Sequence, residues 1–275
     1  MGDATTQISD SIDFPLAEID RAIADLIPGI SGPAKWRAFN AIRHLNWAWK
    51  LRTIDPEMAV FRGITAEEEA ATAIFVALRR RSYDGSEKLR PRDHVHKNAV
   101  IPFFDAITRV LTKFAYYLPE AQLFLNTDEK PPLLTFRFRR PHPETGEPAW
   151  AYSDPPLNFS ATQIAPDGAR RAEDFAAGVN EIASGAKVKD ILAYIRDRAN
   201  QRNRVLYAGD GGYLALSGDV EKEIQRYKRN VFTLLRIYLL IDLYSAKQLF
   251  IQQALTAFLR TLRLLPDDVD AESSP

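Results

Sequence analysis

The amino-acid sequence predicts a mainly helical protein, a bundle interrupted by a small inserted β-hairpin. Two observations carry that prediction. Apolar residues recur at spacings of three and four through most of the 275 residues, which is the period of helices that bury one face. Between 127 and 169 that pattern stops. Eight prolines fall there, and Leu134, Phe136 and Phe138 alternate with Thr135, Arg137 and Arg139, the two-residue period of a strand.

In chain order, the helical spacing predicts helices over 15–27, 34–52, 56–82 and 95–118, then 170–184, 187–204 and 219–264. Pro15, Pro33 and Pro56 lie at helix starts, where a missing N–H does no harm, and Asp55 precedes Pro56 as a side-chain cap. The last helix has a break point near Tyr244. The stretch PHPETGEP is rich in turn residues, so Ala149 to Tyr152 returns as the partner of the 134–139 strand. A second ribbon is expected over Val205 to Leu216, turning at Asp210-Gly211-Gly212. The chain therefore divides into an N-terminal helical half (1–126), a proline-rich hairpin insertion (127–169), a C-terminal helical half packing back on the first (170–266) and a frayed acidic tail (267–275).

Composition removes whole classes of function. Thirty-six basic and thirty-six acidic residues cancel, so polyanion binding through bulk charge is excluded and any such contact must be local. With no cysteine there is no disulfide, thiol nucleophile or Cys-ligated metal, and four histidines leave little for a transition-metal site. The start MGDATTQISD lacks the positive region and apolar run of a secretory signal, and Val231 to Leu243 is interrupted by Arg236 and Asp242 and too short to span a bilayer. The expectation is a cytoplasmic chain with no membrane segment, resident metal or cofactor. No Gly-rich phosphate loop, nucleophile elbow or H-E-x-x-H motif is present.

Polar residues on apolar stripes are the informative positions. On the third helix Val60, Ile64, Ala71, Ile74 and Leu78 form a row in which Glu67 fills the missing rung; Glu68 flanks it and Glu69 points away. On the fourth, Val100, Phe103, Ile107, Val110, Phe114 and Leu118 make a row with His96 one turn ahead, whereas His94 is out of register. On the sixth, Val188, Ile191, Ile195 and Ala199 lead to Arg202. A buried charge is costly unless paired, so Glu67 or Glu68, His96 and Arg202 are expected to converge. A carboxylate, an imidazole and a guanidinium fork in one place are equipment for acid–base chemistry on a phosphodiester without metal, and equally for a structural triad.

Local charge adds to this. From Arg79 to Lys97 the residues Arg79, Arg80, Arg81, Lys88, Arg90, Arg92 and Lys97 outnumber Asp84, Glu87 and Asp93 by four, beside His96. Arg196, Arg198, Arg202 and Arg204 form a second group, so both clusters could follow a phosphate backbone. The Phe136 to Arg140 run mixes aromatics and arginines, which suits either a single-strand platform or a half-buried hairpin. From Val231 to Leu264 the helix is apolar nearly all round, so it is either the central post of the fold or half of a homodimer interface.

The segment Thr65-Ala66-Glu67-Glu68-Glu69-Ala70-Ala71-Thr72-Ala73, followed by His96-Lys97 and by Arg202-Asn203-Arg204-Val205-Leu206-Tyr207, resembles in order the AbiV abortive-infection family of HEPN-like helical proteins. The resemblance spans about residues 35 to 215. The family's lysine after the glutamate pair falls here on Ala71 or Thr72. HEPN proteins carry an Arg followed four to six residues later by a His, and both Arg90 with His96 and Arg37 with His44 match that spacing. The resemblance implies a dimeric, metal-independent endoribonuclease of an anti-phage system. His96 would orient or deprotonate a ribose 2′-hydroxyl, Arg90 or Arg202 would stabilise the phosphate, and Glu67 or Glu68 would fix the imidazole tautomer. Arg79, Arg80, Arg92, Lys97 and Arg204 would contact RNA. The alternative is a non-catalytic interaction or nucleotide-sensing module acting through a protein partner.

Overall fold

The computed structural model describes residues 11–112, 122–159, 162–172, 194–195 and 219–263. Helices α1 (Glu18–Leu26), α2 (Ala34–Leu51), α3 (Pro56–Arg80), α4 (His94–Asn98) and α5 (Val100–Thr112) precede a three-stranded antiparallel sheet of β1 (Gln122–Asn126), β2 (Leu133–Pro141) and β3 (Pro148–Tyr152). A two-stranded ribbon, β4 (Thr162–Ile164) with β5 (Arg170–Ala172), follows, and α6 (Val220–Asp242) and α7 (Leu249–Arg263) close the described chain. The mainly helical class with a small sheet is thus what forms.

Helix α3 is the axis of the body. Its start follows the sequence: Asp55 caps it by accepting from the Met58 N–H at 3.0 Å, with Pro56 in the first turn. It packs along one side on α2 and along another on α6. The α3–α6 crossing is close because Gly63 has no side chain. A Cβ there would lie 2.3 Å from Cδ2 of the fully buried Tyr227. Gly63→Ala, which ordinarily favours a helix, should therefore destabilise the protein by about 1–3 kcal/mol, read as a lower urea midpoint. An unchanged or raised midpoint would show that the two helices can separate at no cost.

Helix α6 is the central post. Buried residues recur round its circumference, among them Ile224, Tyr227, Val231, Phe232, Leu235 and Tyr238. Much of the apolar girth of 231–264 is covered within the chain, while Leu249 stays 56% exposed. The predicted 219–264 helix breaks after Asp242, and the 243–248 turn is fastened by Gln248, whose side chain accepts from Leu157 N–H at 2.7 Å and donates to Leu240 C=O at 2.6 Å. Tyr244 donates to Leu134 C=O at 2.8 Å, tying β2 to the helical body.

Three boundaries differ from expectation. The 95–118 helix divides around Ala99, which joins α4 to α5. The sheet begins earlier than the insertion, because β1 pairs with β2 from Gln122↔Arg137 to Asn126↔Leu133. Residues 170–172, predicted as helix, pair instead with 162–164 across a turn whose Gly168 takes a φ of +77°. The β2–β3 hairpin turns in the PHPETGEP stretch as expected. The expected helix over 187–204 lies outside the described residues except for Tyr194 and Ile195, the latter fully buried. The 205–216 ribbon and the acidic tail lie outside them entirely.

Candidate functional site

The three glutamates of α3 separate as the helical period requires. Glu67 and Glu68 are 6% and 7% exposed, while Glu69 turns toward α2 and meets Arg37 at 3.3 Å. Buried carboxylates need partners, and each inward one has them. Glu67 accepts from the Asn230 amide of α6 at 2.6 Å. Glu68 is the centre of the cluster: one oxygen is 2.8 Å from His94 Nδ1 and the other 2.8 Å from Lys97 Nζ. Its backbone carbonyl accepts from the Thr72 hydroxyl at 2.7 Å.

Helix α4 places both partners on Glu68. Asp93 caps it, accepting from the N–H groups of Val95 at 2.9 Å and His96 at 3.2 Å, so the helix starts at His94. Residues 94 and 97 are then three apart and share a face. The Lys97 side chain is 9% exposed and that of His94 33%. Burial opposes ionisation of Glu68, yet the His94 hydrogen bond and the Lys97 charge outweigh it and hold the carboxyl below its ordinary range.

His96 does not join the glutamates. Two residues beyond His94, its ring faces the preceding loop, where Nδ1 accepts from the Arg90 N–H at 3.1 Å and Nε2 lies 3.8 Å from Asp93. Burial pushes its pKa down, with Asp93 opposing and Arg90 reinforcing, so the ring is neutral at neutral pH, as an acceptor at Nδ1 must be. The anticipated Glu–His96 pairing is therefore replaced by Glu68–His94. The physical reason is the break at Ala99: once α4 ends there, the row through Val100 no longer fixes the phase of residues 94–97, and the three-residue spacing of His94 and Lys97 carries both to Glu68. His96→Ala should cost about 1 kcal/mol of stability through the orphaned Arg90 N–H, measured by urea unfolding. A loss above about 3 kcal/mol would give His96 a larger role than pinning this loop.

The basic residues also sort themselves. Arg79 donates to the carbonyls of Ser86 at 3.1 Å, Glu87 at 3.2 Å and Leu89, shaping the turn after α3. Arg80 pairs with buried Asp242 at 2.8 Å, and Lys97 with Glu68. These three cations, expected to face RNA, are engaged within the chain, although Arg79 stays exposed and Arg80 partly so. Arg90 and Arg92 are exposed, Arg90 with Asp93 at 3.8 Å. Arg202 and Arg204 lie outside the described residues, so the expected guanidinium of the triad is not placed. On the sheet, Arg137 stacks over Phe124 and Trp150 at 4.7 and 4.5 Å, as a half-buried hairpin requires.

Two members of the cluster escaped sequence reading. His94 is out of register with the Val100 row if one helix runs from 95 to 118, and the break at Ala99 removes that constraint. Asn230 continues the row of Tyr227 and Leu234 on the core face of α6, a polar residue on an apolar stripe like those used elsewhere. Among the described residues no group of three or more His, Asp or Glu side chains is placed to hold a metal ion, and no helix is long and apolar enough to cross a membrane. Comparison of the chain with protein-family models, curated proteins and solved structures returned no match.

Proposed function

We propose that the chain is an HEPN-like anti-phage protein acting as a metal-independent endoribonuclease, with His94 as its acid–base group. One observation carries this reading: the Glu68 carboxylate bridges His94 and Lys97 at 2.8 Å each, joining the glutamate pair to the His-Lys segment, two of the three segments on which the family resemblance rests. With Nδ1 committed to Glu68, the ring acts through Nε2, and the carboxylate stabilises the imidazolium that forms when it takes a proton. Nε2 removes the proton of a ribose 2′-hydroxyl; the resulting oxygen attacks the adjacent phosphorus, and the bond to the 5′-oxygen of the next nucleotide breaks. The products are a 2′,3′-cyclic phosphate and a 5′-hydroxyl, which receives the proton. Arg90, exposed on the loop before α4, and Arg202 are the candidates to neutralise charge on the phosphate.

The rival reading makes the same cluster a pin that holds α4 on α3, with output through a protein partner; the near-complete burial of Lys97 favours it. An RNA cleavage assay in the presence of a chelator separates the two. The expected result is activity that survives chelation, falls at least about 100-fold in His94→Ala and in Arg202→Ala, and is little changed in His96→Ala, all with wild-type circular dichroism. Equal cleavage by wild type and His94→Ala, or none by wild type, refutes the catalytic reading.

A further inference from the structure

A cavity of about 570 Å3 lies between the sheet and the helical body, away from the Glu68 cluster. Its walls come from α3 (Ile74), α5 (Phe103), β2 (Phe138), α6 (Ile241) and α7 (Ala254, Phe258), so four helices and the sheet contribute. The volume falls in the range of small-molecule sites, about 300–1,000 Å3. Among the described residues of the lining there is one polar side chain, Ser153, whose hydroxyl donates to the Pro155 carbonyl at 3.1 Å. Phe136 and Phe138 face this space because β2 alternates, sending Arg137 and Arg139 to the other side of the sheet.

The chemistry of the wall selects its occupant. Water is disfavoured, since a water needs two to four polar partners and the described side chains of the wall offer it at most one, the Ser153 hydroxyl. An extended peptide would bury backbone N–H and C=O groups without partners. Such a wall suits a molecule with a long apolar part and no hydrogen-bonding groups along it. We propose that this cavity is a binding site for an acyl chain, belonging to a free fatty acid or to a lipid. The proposal does not depend on the ribonuclease reading.

The test is a fluorescence titration of the full chain with 11-(dansylamino)undecanoic acid, with palmitate as competitor. Wild type should give a saturable, blue-shifted dansyl signal that palmitate reverses, and saturating probe should raise the melting temperature. Ala254→Phe and Leu240→Phe, which add bulk from α7 and α6, should each weaken binding at least tenfold without lowering the melting temperature of the unliganded protein. Solvent extraction of the purified protein followed by mass spectrometry distinguishes a free fatty acid from a phospholipid. Absence of a saturable signal and of a melting shift in wild type overturns the proposal. So does unchanged affinity in both folded variants, or probe binding that only follows self-association in sedimentation. Should both variants unfold, the wild-type titration and melting shift decide the matter alone.

Discussion

Replacing Asp242 by alanine should lower stability by about 3–5 kcal/mol, the cost typical of removing one partner from a buried ion pair. Its carboxylate is fully buried at the C-terminal end of α6, 2.8 Å from the Arg80 guanidinium and 3.8 Å from Arg81 Nε, and its carbonyl accepts from both arginines. Those cations are about a quarter exposed, so part of their hydration is recovered when the partner goes, which places the result toward the lower end. Burial and the neighbouring carboxylate also hold the Tyr238 hydroxyl above its ordinary pKa, a sign of how little solvent enters. Since α3 and α6 are joined at this end by the Asp242 pairs, the loss should appear as cooperative destabilisation, with a fall in melting temperature of about 6–12 °C. Asp242→Asn, keeping shape and some hydrogen bonding, should lose about half as much. A melting temperature within about 2 °C of wild type in Asp242→Ala would mean that the pair contributes nothing net, the outcome typical of exposed ion pairs.

The helical class was legible because α2, α3, α6 and α7 each bury a stripe at the helical period, and periodicity survives any error in where a helix begins. Caps were legible where proline and aspartate coincide, as at Asp55-Pro56. Partners across the fold were less so. Glu67 and Glu68 were recognisable as inward-facing, since the missing rung on α3 is a local property. Which side chain meets them depends on α4 and α6: the close approach of Gly63 to Tyr227 sets one, and the break at Ala99 frees the other from the phase of the Val100 row and moves the choice from His96 to His94. The same non-local logic explains Arg79 and Arg80. A run of arginines at a helix end reads as solvated, yet buried Asp242 and the Ser86 to Leu89 carbonyls, all brought in by tertiary contact, take both. The early start of the sheet was missed because β1 has only five residues and precedes the proline-rich stretch on which the strand reading rests.

Glu68 is the residue whose replacement should disturb the candidate site most. Glu68→Ala leaves the Lys97 ammonium, 9% exposed, without its carboxylate, and leaves His94 Nδ1 without its partner. Breaking such a pair costs about 3–5 kcal/mol, whereas replacing both members by apolar residues of similar volume is often close to neutral. The double variant Glu68→Met with Lys97→Met should therefore regain most of what Glu68→Ala loses. That distinguishes an uncompensated buried charge from a simple packing defect. The pH dependence follows from the folded-state pKa of Glu68, held below its ordinary 4.5 by His94 and Lys97 in spite of burial. A carboxylate with a depressed pKa contributes stability that is fully present above the unfolded-state value and lost as pH falls through the folded-state value. The difference in unfolding free energy between wild type and Glu68→Gln should be constant around neutrality and shrink below pH 4.5. Urea unfolding at a series of pH values measures this directly. A gap that stays the same down to the folded-state pKa would mean that Glu68 is not held as the anion between His94 and Lys97, and it would remove the electrostatic basis for His94 as an oriented base.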